Sequence, residues 1–304
     1  MVTGANTYFA QVIFNKTKKN NHFMGGKKVK EPSMFLLGQI RAGRSKEVKD
    51  KLISDLKRTP PDFVYCHDAD TLSVGVSLKN SKSIPFVFDM HDLAHTWVLM
   101  PSPTFTFRKI ISRIMLNKML KRATLADKII TSSGATEEDT SSGFKQWLSA
   151  RGLESTVVEN RPDSSIILPV PEESNWCVSH IGKLRDLRAI ELLVKAILLI
   201  PTAERPIISI AGEGTKSGEI KLLLQKLQDS GEVNVEFRGR FEQSQIPEIL
   251  AYSSVMFAMY NPARGNIKQG ALPVKMFDAA VHGVPSIVNS HSLMGDICIS
   301  CLLY

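Results

Sequence analysis

Eight short runs of β-branched and aromatic residues, each followed by a stretch of helical periodicity, constrain this chain more than any other feature. Three lie in the first half and five in the second, at residues 63–66, 84–89, 128–131, 178–181, 207–211, 233–237, 255–259 and 284–288. Strands that alternate with helices pair in parallel and are joined by right-handed crossovers. The sequence therefore predicts an α/β fold with two Rossmann-like, doubly wound domains.

A polar, proline-rich segment separates the two series of strands. Residues 160–165 read NRPDSS, and Pro169 and Pro171 follow. We expect an N-terminal domain at residues 1–165, a C-terminal domain at residues 166–304, and a ligand site in the cleft between them. Residues 1–45 show no complete βαβ unit, and the chain stops soon after the last apolar run. The fold is therefore expected to lack its first βα unit and to be truncated at both ends.

The net charge of +8 predicts an anionic partner, which can be nucleic acid, a lipid surface or a phosphorylated small molecule. Nucleic acid is not expected, because no recognition motif or interleaving of aromatic and basic residues is present. No segment reaches the roughly 18 successive apolar residues of a spanning helix, and no secretory signal opens the chain. With only four scattered cysteines, these features favour a cytoplasmic protein.

Two polar turns follow predicted strands in the first half of the chain. The first reads HDAD from residue 67, and its Asp68 and Asp70 either cap the next helix or contribute to a site. The second reads DMHD from residue 89. Its His91 can exchange a proton or donate a hydrogen bond near neutral pH, although a single histidine is more often structural.

Residues 107–122 form a predicted helix that combines an apolar side with a strongly basic one. The apolar residues at helical spacing are Phe107, Ile110, Ile111, Ile114, Met115 and Met119, and the cations are Arg108, Lys109, Arg113, Lys118, Lys121 and Arg122. Six cations without an acid suit anionic lipid headgroups. The alternative is an ordinary amphipathic helix that packs on the sheet and leaves its basic side in solvent.

A glycine turn with three cations opens the second half. The strand at 178–181 leads into Gly182 and Lys183, and Arg185 and Arg188 follow. Transfer of a group from a nucleoside diphosphate leaves negative charge on the departing phosphates, which cationic side chains and a helix N-terminus can stabilise without a metal. The alternative is ordinary surface charge. A second glycine turn at 211–214 lacks the spacing of a dinucleotide fingerprint.

A short helix near the C-terminus carries an isolated carboxylate. The helix is predicted to begin at Pro273 and to end at Gly283. Asp278 lies among small and apolar residues in this helix. A carboxylate there is unfavourable unless it meets a partner such as the vicinal hydroxyls of a ribose.

In this order and spacing the motifs resemble those of the GT-B glycosyltransferases of family 4, retaining enzymes that use nucleotide sugars. The matching segments are HDxD at 67–70, D-x-H-[DE] at 89–92, Asn-x-Pro at 160–162, Gly-Lys at 182–183, A-G-x-G at 211–214 and [ED]-A-x-x-x-G-x-P at 278–285. The resemblance implies that Lys183, with Arg185 or Arg188, neutralises the donor diphosphate. It implies that Asp278 binds the ribose, that His91 faces the transferred sugar, and that transfer proceeds with retention and without a cofactor or metal.

Departures from the family pattern bear on the same site. The first glutamate of the family's E-x7-E pattern falls at Gly270, and Asp278 replaces the second. A Pro-x-Lys variant of the pattern matches residues 273–275 and implies that Lys275 assists at the phosphates. The other residues expected in the cleft are His67, Asp68, Asp92 and Asn160.

The expected function is transfer of a sugar from a nucleotide sugar to a polyprenyl-linked, other lipid-linked or cell-envelope glycan, at the inner face of the membrane. One alternative is an inactive fragment or a non-catalytic relative that binds a nucleotide or a membrane, which Gly270 and the incomplete termini favour. A nucleotide-sugar 2-epimerase shares the fold and is a further alternative, although the additional cleft carboxylates that it needs are not evident.

Overall fold

The computed structural model describes residues 47, 49–99, 106–134, 142–162, 176–261 and 264–301. They divide into two compact units. The first contains the described parts of Met1–Val98, Thr104–Ile130 and Leu153–Thr156, and the second those of Leu99–Pro103, Thr131–Gly152 and Val157–Tyr304. The predicted domain boundary between residues 165 and 166 lies outside the described residues.

The first sheet has the strand order β1-β2-β3-β4, with β1 at Val64–His67, β2 at Phe86–Met90, β3 at Lys128–Thr131 and β4 at Thr156–Val157. β1 and β2 are parallel, and their register sets His67 opposite Asp89. The helices of this part of the chain are α1 (49–58), α2 (Asp68–Lys82), α3 (Ala94–Trp97), α4 (Thr106–Ala123) and α5 (Phe144–Ser149). α2 approaches the sheet closely at Gly75, where a β-carbon would lie 2.7 Å from Cys66 Sγ and 2.8 Å from the Phe86 ring.

The second sheet has the order β7-β6-β5-β8-β9, and all of its neighbouring strands are parallel. Its strands are β5 (Cys177–Ile181), β6 (Ile207–Ala211), β7 (Val235–Gly239), β8 (Val255–Phe257) and β9 (Ser286–Ile287). The chain moves outward from β5 to β7 and then returns to the other side of β5 with β8. The carboxyl ends of β5 and β8 therefore flank the topological switch point, where open parallel sheets bind their ligands.

Helices cover both faces of the second sheet. α6 (Leu187–Leu198) and α7 (Ser217–Asp229) share a buried cluster with Ile208 and Ile210, whereas α8 (Ile246–Ala251) and α10 (Val274–Val281) share another with Met256. All five residues of β5 are buried, as a central parallel strand requires. The remaining elements are α9 (Gly265–Lys268), α11 (Leu293–Cys301) and 3-10 turns at Thr202–Glu204 and Gln243–Gln245.

The predicted α/β class with parallel strands is confirmed. Each of the eight predicted strands is present within a few residues of its expected place, and the two-residue β4 is the addition. Cys66 and Cys177 are buried, free thiols. Within the described ranges, no helix is both long enough and apolar enough to cross a membrane.

Candidate functional site

Two glycine turns meet at the carboxyl ends of β5 and β6. Gly182 has a φ of 119°, and Gly212 has a φ of 144°. A β-carbon on Gly212 would lie 1.8 Å from the carbonyl oxygen of Gly182, and one on Gly214 would lie 2.1 Å from that of Leu184. Glycine avoids these clashes and tolerates a positive φ. It therefore allows the turn at 212–214 to lie directly against the turn at 182–184.

Three of the predicted phosphate-binding cations lie on this first turn and at the start of α6. Lys183, Arg185 and Arg188 are exposed. None of them forms an ion pair with a carboxylate in the described ranges. The N-terminus of α6 adds unpaired backbone N–H groups and a positive helix dipole. Cations without an ion-pair partner, beside a helix N-terminus, favour an anionic ligand at the turn.

An open cavity of about 230 Å³ lies at the switch point between β5 and β8. Its walls come from α6 and from the loop after β8, and they consist of Arg188, Ala189, Leu192, Met259, Tyr260 and Asn261. Apolar walls with a few polar groups are typical of sites for small organic ligands.

Lys275 in α10 lies against Tyr260 and a buried histidine. Its Nζ is 3.3 Å from Nδ1 of His180 in β5 and 4.8 Å from the centroid of the Tyr260 ring, and Cζ of Arg264 lies 5.4 Å from that centroid. Neither cation pairs with a carboxylate among the residues that the structure describes. Burial, reinforced by Arg264, lowers the pKa of Lys275 to about 7, and burial, reinforced by Lys275, lowers the pKa of His180 to about 3.

Asp278 follows Lys275 by three residues in α10 and is 8% exposed. Its backbone oxygen accepts a hydrogen bond from His282 Nδ1 at 2.8 Å, but its carboxylate accepts none from a described residue. Burial raises the pKa of Asp278, and His282 opposes that effect. Buried polar groups normally have partners, and two ribose hydroxyls would supply donors here. The ribose-binding role of Asp278 stays a prediction.

Gly270, where the family pattern has a glutamate, has a φ of 92°. A β-carbon at this position would lie 2.2 Å from the carbonyl oxygen of Ser142 and 2.6 Å from Cα of Gly143. Any larger side chain would clash with that backbone. The departure from the family pattern is therefore also a requirement of packing in the second unit.

In the first unit, three side chains converge on one carboxylate oxygen at the ends of β1 and β2. Asp89 is 5% exposed, and its Oδ2 accepts a hydrogen bond from Tyr65 Oη at 2.8 Å. His91 Nε2 lies 2.7 Å and His67 Nδ1 3.2 Å from the same oxygen. The two histidine rings are 4.5 Å apart between centroids. Asp89 therefore fixes the positions of both rings.

The shared oxygen of Asp89 affects the pKa values of Asp89, His91 and Tyr65. Burial alone would raise the pKa of Asp89, but hydrogen bonds from His91, Tyr65 and His67 outweigh burial and lower it. The hydrogen bond to Asp89 raises the pKa of His91 against the effect of burial, and burial with Asp89 raises the pKa of Tyr65 to about 12. His91 is thus held by an ionised partner, as suits a hydrogen-bond donor or a general acid.

Asp68 joins the two turns of this unit. It has a φ of 60°, and its Oδ1 accepts a hydrogen bond from the backbone N–H of His91 at 3.2 Å. α2 has no side-chain capping bond, although Asp68 and Asp70 lie in its first turn. The capping alternative is therefore not realised. Burial raises the pKa of Asp68.

The ligand atoms of His67, Asp89 and His91 all lie within 4.8 Å of one another, so these described residues could together hold a metal ion. Their mutual hydrogen bonds account for the same arrangement, since one oxygen of Asp89 serves both rings. That the reaction needs no metal stays a prediction.

Asp92 and Asn160 are the remaining predicted cleft residues. Asp92 follows His91 and contributes to the rise in its pKa. Asn160 is exposed and belongs to the second unit, where Cζ of the neighbouring Arg161 lies 3.9 Å from the centroid of the Phe277 ring in α10.

α4 presents apolar and basic side chains to solvent. Phe107, Ile110 and Ile114 are 61%, 52% and 49% exposed, whereas Met119 is buried. The predicted membrane-surface cations on this helix are exposed at Lys109, Arg113, Lys118 and Lys121 and half-buried at Arg108 and Arg122. A second cavity, of about 160 Å³, lies between α4 and the starts of α2 and α3, and its polar lining is Asp70, His95, Lys118 and Arg122.

The residues that sequence reasoning missed are Tyr65, Asp89, His180, Tyr260 and Arg264. Alternation along β1 places Tyr65 and His67 on one face, so the pairing of β1 with β2 could have indicated that Asp89 faces them. His180 and Lys275 are 95 positions apart. Only the folded sheet brings that pair together.

Both units are α/β and contain parallel strands, with charged turns at the carboxyl ends of those strands. This is the fold of the GT-B glycosyltransferases, as predicted. No protein-family model matches the sequence, and no curated protein does. The assignment to family 4 stays a prediction.

Several solved structures share this fold. Sucrose-phosphate synthase from Thermosynechococcus elongatus aligns with a TM-score of 0.60 and 12% identity, over 81% of this chain and 60% of that one. HepE of Anabaena, in complex with UDP and glucose, aligns with a TM-score of 0.57 and 17% identity, over 83% of this chain and 72% of HepE. The catalytic domain of Arabidopsis thaliana starch synthase IV, bound to ADP and acarbose, aligns with a TM-score of 0.53 and 14% identity. That alignment covers 83% of this chain and 62% of the starch synthase domain. The chain thus spans 60% of the length of the sucrose-phosphate synthase, and identities this low establish the fold alone.

Proposed function

We propose that this protein is a glycosyltransferase that moves a sugar from a nucleoside diphosphate to an acceptor hydroxyl. The observation that carries the proposal is the group of cations without ion pairs near the switch point of the second unit. Lys183, Arg185 and Arg188 form no described ion pair, and Lys275 and Arg264 share the Tyr260 ring. A diphosphate is the group that such charge binds and stabilises as it departs. Proteins of the same fold are seen with UDP and with ADP.

The proposed reaction breaks the bond between the anomeric carbon of the sugar and the oxygen of the diphosphate. The acceptor oxygen forms the new bond to that carbon, and the hydroxyl proton passes to the departing phosphate. Lys183, Arg185 and Arg188, assisted by Lys275, stabilise the charge in place of a metal, while Asp278 binds the ribose. His91, held by Asp89, donates a hydrogen bond to the transferred sugar, which attaches with retention.

We propose a lipid-linked glycan as the acceptor and an anionic membrane surface as the docking site, on the evidence of α4. Its exposed Phe107, Ile110 and Ile114 lie at helical spacing, and cations flank them. Apolar side chains that enter the interface beside cations that meet anionic headgroups are typical of helices that lie on a membrane. The cavity lined by Lys118 and Arg122 lies on the same helix and could take a phosphate of the acceptor.

The test is the release of nucleoside diphosphate from a panel of UDP-, GDP- and ADP-sugars, with and without lipid-linked acceptors. We expect release from one nucleotide class, reduced at least about tenfold in the variants Lys183→Ala and Asp278→Asn, each of which loses a charged contact. The control is Lys221→Ala, which removes an exposed cation from α7. Nucleotide binding without any turnover would instead support the second candidate, a non-catalytic relative, which the loss of the family glutamate at Gly270 favours.

A further inference from the structure

At the proposed phosphate site, Nδ1 of His180 has two neighbours and cannot form a hydrogen bond with both of them at once. His180 Nδ1 lies 3.2 Å from the carbonyl oxygen of Phe257 and 3.3 Å from Lys275 Nζ. A protonated ring nitrogen donates, and an unprotonated one accepts. The carbonyl oxygen can only accept, whereas a charged ammonium can only donate. The protonation of Lys275 and the tautomer of His180 are therefore linked.

Two arrangements satisfy the geometry. With a neutral Lys275 amine, Nδ1–H donates to the Phe257 carbonyl, and the amine needs no acceptor. With a charged Lys275 ammonium, Nδ1 must carry no proton so that it can accept from Nζ, and the ring proton resides on Nε2.

The groups around Lys275 favour the neutral amine while no anion is bound. Arg264 and Lys275 both lie near the Tyr260 ring, and no described carboxylate lies within ion-pair distance of Lys275. Burial and Arg264 lower the pKa of Lys275 to about 7. His180, with a pKa of about 3, and Tyr260, with a pKa of about 12, keep their charge state at neutral pH. Asp278 and His282 are the ionisable groups on and directly after the same helix.

We propose that binding of the donor diphosphate is coupled to the uptake of one proton by Lys275, and that His180 is the positioning residue that holds the charged amine. The inference rests on the proposed function of this site. The anion supplies the missing counter-charge, and the amine takes a proton from solvent. The ring proton of His180 relocates from Nδ1 to Nε2, so that Nδ1 accepts from the ammonium. The net change is one proton gained, and no bond to phosphorus forms or breaks.

The experiment is calorimetric titration of the full chain with UDP, GDP and ADP at pH 8, in buffers of different ionisation enthalpy. The slope of the observed enthalpy against the ionisation enthalpy gives the number of protons taken up. We expect about one proton at pH 8, where Lys275 is neutral before binding, and an uptake near zero at pH 6, where it is already charged.

Variants of Lys275 and of His180 test the roles of these two residues separately. Lys275→Arg should bind without proton uptake, because guanidinium is always charged, and Lys275→Met should bind at least about tenfold more weakly, also without uptake. Lys221→Met is the matched control, since it removes an exposed lysine from α7 and should leave both binding and uptake unchanged. At pH 8, His180→Leu should weaken binding more than His180→Asn, whose amide oxygen can still accept from Lys275.

The outcomes distinguish this inference from the proposed function. Binding with no dependence on the buffer, or uptake that persists in Lys275→Arg, would overturn proton coupling and leave the donor site intact. Equal affinities of His180→Leu and His180→Asn would overturn the positioning role. A folded protein that binds no nucleotide would overturn both the inference and the proposed function.

Discussion

Asp89 sets the ionisation of His91, because one of its oxygens accepts hydrogen bonds from Tyr65, His67 and His91. The variant Asp89→Asn keeps the size of the side chain and removes its charge. We expect the pKa of His91 to fall toward its ordinary value of 6.5, and sugar transfer to slow. The measurement is a pH titration of the histidine ring resonances by NMR.

The same variant should also change the dependence of stability on pH. Since folding raises the pKa of His91, its protonation stabilises the folded state below the unfolded pKa, and this contribution is lost as the pH rises through the folded pKa. Asp89 acts in the opposite sense, because folding lowers its pKa, so Asp89→Asn should lose stability most between about pH 3.8 and 6.5, where Asp89 is ionised and His91 is charged. Tyr65→Phe, which leaves the carboxylate charged, is the control. An unchanged His91 titration in Asp89→Asn would show that Asp89 does not set its ionisation.

Gly270 is expected to tolerate no side chain. Gly270→Ala places a β-carbon against the Ser142 carbonyl at a φ of 92°, and should destabilise the protein by about 1–3 kcal/mol. The measurement is urea unfolding. The control is Gly218→Ala in α7, which meets no atom within 4 Å and should be neutral or slightly stabilising. Equal stability of the two variants would refute the packing role of Gly270.

α4 is the element whose surface carries the membrane proposal. A double variant, Ile110→Asp with Ile114→Asp, should reduce co-sedimentation with vesicles that contain phosphatidylglycerol by at least about tenfold, because it puts carboxylates at the interface. Binding of the parent protein should also weaken as salt rises. Leu222→Asp, at an exposed position of α7, is the matched control. Equal binding of the parent to phosphatidylcholine and phosphatidylglycerol vesicles, or no binding, would contradict the proposal.

For the helices and strands, the sequence predicted which elements exist better than it predicted which faces of them are buried. The strands were evident because β-branched runs such as 207–211 have few alternatives. β4 has two residues and no pattern of its own. The apolar residues of α4 share helical spacing, yet Met119 is buried and Ile110 is exposed. Periodicity shows that side chains share a face, but tertiary packing decides which part of that face is covered.

For the molecule as a whole, the order of the motifs predicted the fold. Parallel strands bring their carboxyl ends to one edge of a sheet, so polar motifs that follow successive strands indicate such a sheet. The charged turn at Lys183 was predictable because its residues are contiguous in the chain. The pairing of Lys275 with His180 and the clash at Gly270 with Ser142 were not predictable, since each depends on segments that are distant in sequence.

The proposed use of cations in place of a metal predicts that turnover will withstand chelation. Removal of divalent ions with EDTA should leave the release of nucleoside diphosphate within about twofold of its untreated rate, because in this proposal lysine and arginine neutralise the phosphate charge. Loss of turnover that added metal restores would contradict this prediction. His67, Asp89 and His91 would then be the first ligands to replace.

The proposed donor diphosphate site at the Lys183 turn can be tested by calorimetric titration of the purified chain with UDP, GDP, ADP and their sugars. We expect saturable binding of one nucleotide class, weakened about tenfold or more by Lys183→Ala and unchanged by Lys221→Ala. A folded chain that binds none of these ligands, or binds them equally well without the Lys183 side chain, would contradict it.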